Sequence, residues 1–174
     1  MHAQQYSLLV AAAILAVSQQ VAGLTFTNVE ATYWYDTTPI GVGGICAANR
    51  REVATWNDPI YSKTNPAIPA CAKEGETYAS INSNRMIAIP KELLTWSDRT
   101  FCGKEAKVFG PDGKEIIFKD GPLFAYEGCG DCKAKNRIDF SAQVYAELCG
   151  GTCGVGPGNN PVGFRVELLN NTIF

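Results

Sequence analysis

The sequence contains a single histidine, His2, which lies at the very start of the chain. Residues 6–17, which follow closely, form an apolar run without a charged residue. A segment of this kind is removed from exported proteins, so the mature chain would carry no imidazole. Such a chain cannot use a Ser-His-Asp triad or a Cys-His pair, and it cannot bind a metal through histidine. Any glycoside hydrolysis would have to depend on carboxylates.

Long apolar segments are also scarce, because no stretch after residue 17 is long enough to cross a bilayer. The small residues Val21, Ala22 and Gly23 follow the apolar run and suit a leader peptidase. We therefore expect residues 1–23 to be a signal peptide, and residues 24–174 are of a size for one domain. The sequence predicts a secreted, extracellular protein.

Basic residues are few and scattered. The chain has 15 lysines and arginines against 17 aspartates and glutamates, and its formal net charge is −2. A surface that binds a polyanion needs clustered basic side chains to neutralise phosphates. The sequence therefore indicates neither a nucleic-acid nor a membrane partner, and we expect a monomer without a cofactor or a bound metal.

Cysteine, by contrast, is frequent. Seven cysteines follow the leader: Cys46, Cys71, Cys102, Cys129, Cys132, Cys149 and Cys153. In an exported protein such thiols form disulfides, and the odd number leaves one that is free or intermolecular. The close pairs Cys129/Cys132 and Cys149/Cys153 could instead make a four-cysteine zinc site. Export favours disulfides, although the spacing alone does not fix their connectivity.

Short segments rich in β-branched and aromatic residues, bounded by glycine, proline or asparagine, predict strands. They are residues 30–35, 85–89, 105–109, 115–119 and 163–168. Pro90 begins a predicted helical turn at residues 91–94. Residues 48–79 contain three prolines and little periodicity, and they predict a long inserted loop.

Residues 101–148 carry the clearest local signals. Pro111, Asp112 and Gly113 predict a tight turn between two strands, because proline presets the first turn residue and glycine accepts a positive φ. Ser141 suits the N-cap of a helix with the sequence SAQVYAEL, whose apolar residues share one face. Asp139 therefore lies at a predicted strand-to-helix junction.

Four blocks of the sequence resemble the expansin, loosenin and rare-lipoprotein-A group. The first block is Ala31-Thr32-Tyr33-Trp34-Tyr35-Asp36, followed by Gly43-Gly44-Ile45-Cys46. The second is Cys102-Gly103-Lys104, and the third is Asp112-Gly113-Lys114. The fourth contains Glu127, Cys129 to Cys132, and Ile138-Asp139-Phe140-Ser141. The resemblance covers roughly residues 29–169, apart from an unmatched insertion at 49–78. It implies an all-β fold, namely a six-stranded double-psi β-barrel with short helices, stapled by disulfides.

The resemblance also implies how the cysteines pair. Cys46 would bond Cys102 across the barrel, Cys129 would bond Cys132, and Cys149 would bond Cys153. Cys71 would then be the odd thiol.

Three carboxylates stand at positions that the resemblance marks as functional. Asp139 matches the group's conserved aspartate, with Arg137 where a histidine is common, and Glu127 falls where expansins carry another acidic residue. Asp36 ends a block that is also similar to the opening of family-45 endoglucanases, in which the corresponding aspartate is a general base. An inverting hydrolase needs two carboxylates about 6.5–9.5 Å apart, which would be Asp36 and Asp139. The cysteines that follow this block in those enzymes are replaced here by Thr37-Thr38-Pro39.

Aromatic residues beside Asp36 suit sugar binding, since the C–H faces of sugars pack on exposed rings. Side chains alternate along a strand, so either Thr32 and Trp34 or Tyr33 and Tyr35 face the groove. The predicted ligand-binding residues are Thr32, Tyr33, Trp34, Tyr35, Asp36, Glu127 and Asp139.

The resemblance therefore implies a secreted expansin- or loosenin-like protein that binds cell-wall polysaccharide, such as β-glucan or chitin, without hydrolysing it. One alternative is a secreted protein-binding module, such as a cysteine-protease inhibitor or a host-directed effector. A disulfide-pinned insertion favours that alternative, because a preorganised loop loses little entropy on binding. The third hypothesis is an inverting endoglucanase.

Overall fold

The computed structural model describes residues 23–33, 68–95, 97–150 and 160–174. The strands in these ranges are β1 Thr25–Tyr33, β2 Met86–Pro90, β3 Lys104–Phe109, β4 Glu115–Ile116, β5 Leu123–Cys129, β6 Arg137–Phe140 and β7 Phe164–Thr172. The helices are α1 Tyr78–Ile81, α2 Cys132–Lys135 and α3 Ala142–Leu148, and a 3-10 turn spans Lys91–Leu93. No helix in these ranges is both long enough and apolar enough to span a membrane.

Six of these strands close into a β-barrel in the order β1-β7-β3-β5-β2-β6, with β6 returning to β1. The pairs β1/β6 and β2/β5 are parallel. The pairs β1/β7, β7/β3, β3/β5 and β2/β6 are antiparallel. β4 only extends a hairpin from β3. The predicted all-β, six-stranded double-psi β-barrel with short helices is confirmed.

The barrel interior is filled by apolar side chains from every barrel strand. In β6, Ile138 and Phe140 are fully buried, whereas Arg137 and Asp139 alternate with them on the outer face. All five residues of β2 are buried, because other segments cover its outer face as well. An outer face covered in this way can hold polar side chains away from water.

Two local predictions are confirmed at the residues that suggested them. Gly113 adopts φ +79° in the turn between β3 and β4, and its N–H donates to Gly110 O at 2.9 Å. Ser141 caps α3 by accepting a hydrogen bond from the Val144 N–H at 3.2 Å. Asp139 therefore does stand at a strand-to-helix junction, two residues before the cap.

Strand β5 was not among the predicted strands. Its first four residues, Leu123–Tyr126, are apolar and buried, so they lack the alternation that identifies a half-exposed strand. Strand β4 is shorter than predicted and ends at Ile116.

Two disulfides connect described cysteines. The Cys129–Cys132 bond is present as predicted, with the Cα atoms 5.4 Å apart. The prediction that Cys46 bonds Cys102 is wrong, and so is the prediction that Cys71 is the odd thiol, because Cys71 bonds Cys102. The reason is local: the Cys71 N–H donates to Tyr126 O at 3.1 Å, which fixes this residue against β5. The predicted Cys149–Cys153 bond and Cys46 itself lie outside the described residues.

The Cys71–Cys102 bond fastens the described end of the insertion to the barrel. The Arg99 guanidinium reinforces it by donating to Cys71 O and, at 2.7 Å, to Ala72 O. Glu76 accepts a 2.5 Å hydrogen bond from the Tyr126 hydroxyl. Residues 71–76 are thus held to the barrel by the covalent bond to Cys102, which lies just before β3, and by hydrogen bonds to β5 and Arg99.

Candidate functional site

A row of four side chains crosses the outer face of the barrel. Thr32 of β1 is in register with Asp139 of β6, Asp139 with Ala88 of β2, and Ala88 with Glu127 of β5. Residues in register on adjacent strands point to the same face, and neighbouring strands are about 4.8 Å apart. The Cα atoms of Asp139 and Glu127 are therefore about 10 Å apart, with a small side chain between them. We call these four residues the carboxylate row.

Asp139, which is half-buried, is the second residue of the row, between Thr32 and Ala88. One carboxylate oxygen, Oδ1, accepts a hydrogen bond from the Thr32 hydroxyl, which also lies 3.3 Å from Ile138 O. A carboxylate oxygen of Asp139 and the Sγ atoms of Cys129 and Cys132 lie within 4.8 Å of one another. Burial raises the pKa of Asp139, while the Thr32 hydrogen bond and the Arg137 charge act in the opposite direction. The position combines a desolvated carboxylate with a hydroxyl that orients it.

Glu127, at the other end of the row, is a structural residue. Its Oε2 accepts from the Tyr78 hydroxyl and, at 3.3 Å, from the Ala70 N–H. Its Oε1 accepts from the Gly128 N–H at 2.6 Å. Burial raises the pKa of Glu127, and these hydrogen bonds partly offset the effect. Oε2 therefore ties Ala70 and Tyr78 to β5, while Oε1 is held by β5 itself. The position of Glu127 in the sequence did not suggest this role.

Arg137 lies next to Asp139 on the outer face of β6 and is held by two carboxylates. Its guanidinium pairs with Glu30 at 2.8 Å and with Asp131 at 3.4 Å. Glu30 also accepts a 2.7 Å hydrogen bond from the Asn160 amide. Beside Asp139 this chain thus has a fixed cation in an ion-pair network.

The structure decides which face of β1 joins the row. Thr32 does, whereas Tyr33 is in register with Phe140 and points to the other side. There the rings of Tyr33 and Tyr145 pack with their centroids 4.8 Å apart. Tyr33 is therefore a packing residue and not part of the row, contrary to one of the two predicted arrangements. Trp34, Tyr35 and Asp36 lie outside the described residues.

A surface cleft lies away from the carboxylate row, at the end of the barrel where β2 and β5 begin. Its volume is about 460 Å³. A chain of side-chain hydrogen bonds borders it, from the Asn84 amide to Gln143 at 3.1 Å and from Gln143 to Asp120. Neither periodicity nor a sequence motif predicts this cleft. Its lining residues are Asn82, Ser83, Asn84, Arg85, Phe118, Lys119, Asp120, Gly121, Leu123, Gln143, Val144 and Glu147.

Comparison with known proteins adds no relative. The chain matches no protein-family model, and neither a curated protein nor a solved structure is similar to it at a significant level.

The burial of Asp139 predicts a pH-dependent stability difference. Because burial raises its pKa above the ordinary value of 3.8, the folded protein holds this proton more tightly than the unfolded chain. The contribution of protonated Asp139 to the folding stability is therefore complete below the pKa of the unfolded chain, and it is lost as pH rises through the pKa of the folded protein. We expect the stability of Asp139→Asn relative to wild type to be higher at about pH 7 than at about pH 3 in urea unfolding.

Asp98→Asn is the matched control for that measurement. Hydrogen bonds from Thr100 lower the pKa of Asp98, so its contribution is present above the unfolded pKa and is lost in acid. This variant should therefore lose stability relative to wild type as pH rises. An Asp139→Asn difference that is the same at both pH values would contradict the burial of the charge.

Proposed function

We propose that this is an exported, expansin-like barrel that binds cell-wall polysaccharide through the carboxylate row without cleaving it. The observation that carries the proposal is the Thr32–Asp139 pair on the outer face of the barrel. With Oδ1 held by Thr32, Asp139 presents its second oxygen in a fixed orientation. A carboxylate oriented in this way is a strong acceptor for a sugar hydroxyl, because charge-assisted hydrogen bonds exceed neutral ones in strength.

The arrangement of Glu127 supports binding over cleavage. Hydrolysis with inversion needs one carboxylic acid and one carboxylate base, each free to exchange a proton with the substrate or with water. Both oxygens of Glu127 are engaged by protein donors. The remaining partner that the sequence suggests, Asp36, lies outside the described residues.

A pull-down on insoluble cellulose and chitin tests the proposal. We expect the wild-type protein to be retained on at least one polymer at both low and high salt, since few charges are matched. Asp139→Asn should reduce retention about tenfold, because it removes a charged acceptor worth more than 1.4 kcal/mol. Asp120→Asn is the control, because that aspartate lies in the cleft away from the row. Lack of retention on both polymers would reject the proposal.

A reducing-end assay on soluble β-glucan separates binding from hydrolysis. We expect no release above the buffer blank with wild-type protein. Release that disappears in both Asp36→Asn and Asp139→Asn would establish an endoglucanase instead.

One observation favours a protein partner as the second candidate function. Ile68 is 65% exposed and precedes the segment fixed by the Cys71–Cys102 bond and by Arg99. An exposed apolar side chain next to a preorganised segment can bind with little loss of entropy. The partner that we consider is a papain-type cysteine protease.

Papain inhibition tests this second candidate. If residues near Ile68 bind the protease, Ile68→Asp should weaken inhibition about tenfold or more, because it would bury a charge at the interface. Ile117→Asp is the matched control, because Ile117 is 81% exposed and is not part of the fixed segment. Wild-type protein that leaves papain fully active would exclude this function.

A further inference from the structure

Three metal-ligating groups meet beside β2 of the barrel. Cys129 ends β5, Cys132 begins α2, and Asp139 comes from β6. The two sulfur atoms and a carboxylate oxygen lie within 4.8 Å of one another. Both cysteines are buried, at 5% and 0% exposure, and the only other buried residue of their small cluster is Ala88.

We propose that reduction of the Cys129–Cys132 disulfide converts this cluster into a site for a thiophilic divalent cation, Zn²⁺ or Cd²⁺. The ligands are Cys129 Sγ, Cys132 Sγ and the Asp139 carboxylate, and water takes the fourth position. Three protein ligands with one open position are typical of zinc sites at which chemistry occurs. The inference does not depend on polysaccharide binding.

The chemistry requires a reductant of the dithiol class. The dithiol supplies two electrons and two protons, the bond between the two sulfur atoms breaks, two thiols form, and the dithiol becomes a cyclic disulfide. Cation binding then displaces the two thiol protons into solvent, because thiolates are the ligands. The oxidised protein cannot form the site, so the redox state of one disulfide determines whether the cation binds.

The geometry is close to what a tetrahedral cation needs. With Zn–S bonds of about 2.3 Å, the two sulfur atoms would lie about 3.8 Å apart. Side-chain rotation can produce that separation while the Cα atoms remain 5.4 Å apart. The carboxylate is already near the sulfur atoms and is oriented by the Thr32 hydroxyl. A hydrogen bond that orients a ligand in this way commonly strengthens metal binding.

The loop between the two cysteines lies at the surface of the protein. Gly130 and Asp131 are exposed, and nothing lies within 4 Å of the position that a Cβ atom would take on Gly130. Asp131 Oδ1 lies 3.5 Å from Cys129 Sγ, so a second carboxylate lies beside the sulfur atoms on the exposed side. Thiolate ligands select zinc and cadmium over magnesium and calcium, which prefer oxygen.

The test uses the full protein with Cd²⁺ as the probe. The protein is reduced with a dithiol, desalted without oxygen and titrated while the cadmium–thiolate charge-transfer absorption is recorded. Reduced wild-type protein should bind one equivalent more than the reduced Cys129→Ser/Cys132→Ser variant. The Cys71→Ser/Cys102→Ser variant, which lacks the other described disulfide, should keep that equivalent. Oxidised wild-type protein should bind none at this site.

Asp139→Asn separates a three-ligand site from a pair of thiolates. We expect its Cd²⁺ affinity, measured by competition with a chromophoric chelator, to fall at least about tenfold. Asp120→Asn should not change the affinity. If the reduced chain has unfolded, one equivalent of Cd²⁺ should restore the folded circular-dichroism spectrum, because binding is then coupled to folding. Equal uptake by oxidised and reduced protein, unchanged affinity in Asp139→Asn, or no recovery of structure would each overturn the proposal.

Discussion

Replacing Cys71 and Cys102 together by alanine should lower the free energy of unfolding by about 3–4 kcal/mol. The two cysteines are 31 residues apart in sequence, so their bond removes much of the conformational freedom of the unfolded chain. The loss can be measured by urea unfolding of the oxidised proteins at constant pH. Changing both residues avoids leaving an unpaired thiol that could exchange with the other disulfide.

The Cys129→Ala/Cys132→Ala variant is the matched comparison. These cysteines are 3 residues apart, and the same entropy relation gives about 1.6 kcal/mol for a loop of that size. The two variants should therefore differ by about 2 kcal/mol in unfolding free energy. Equal losses, or a larger loss in the comparison variant, would show that loop closure is not what the Cys71–Cys102 bond contributes.

Glu127→Ala should destabilise the protein by about 1–3 kcal/mol, which is the cost of one buried donor that loses its acceptor. That donor is the hydroxyl of Tyr78, whose residue is 5% exposed, whereas the N–H of the exposed Ala70 can bond to water instead. Removing the carboxylate also removes the cost of burying its charge, which raises the pKa of Glu127, and this offsets part of the loss of stability. Amide exchange should also quicken across residues 70–78, because this segment loses one of its attachments to β5.

A double-mutant cycle with Tyr78→Phe tests that explanation. Tyr78→Phe removes the hydroxyl that donates a hydrogen bond to Glu127. Glu127→Ala should therefore lower the free energy of unfolding less in the Tyr78→Phe background than in the wild-type protein. Glu127→Gln keeps the size of the side chain but places an amide donor where the protein already supplies donors. It should therefore destabilise as well. Simple additivity in the cycle would refute the coupling between Glu127 and Tyr78.

The residues that sequence reasoning placed correctly are governed by local interactions. Ser141 caps the helix that starts at the next residue, and Gly113 turns a hairpin within five residues. The outward orientation of Asp139 is also a local effect, because Ile138 and Phe140 on either side of it are apolar and must face the core. Such signals act over a few residues and do not depend on the rest of the chain.

The features that sequence reasoning missed depend on distant partners. Glu127 meets Tyr78 and Ala70, which are 49 and 57 residues earlier, so nothing next to Glu127 indicates its structural role. The face of β1 was undecided for a related reason. Alternation identifies two sets of side chains, but only the pairing of Thr32 with Asp139 shows which set faces outward. The pairing shifts where Asn28 adopts φ 52°, and a one-residue shift of this kind exchanges the two faces.

Strand β7 lies between β1 and β3, so the last strand of the barrel closes it by pairing with the first. During synthesis, β1 would leave the ribosome long before its described partners β6 and β7 exist. Its backbone donors and acceptors would meanwhile form an open edge that can pair with other chains. Contacts between such distant segments slow folding, because loop closure must precede the stabilising pairing. The barrel can therefore close only after β7 has been synthesised, and a holding chaperone that shields residues 25–33 should raise its yield more than one that acts on α3.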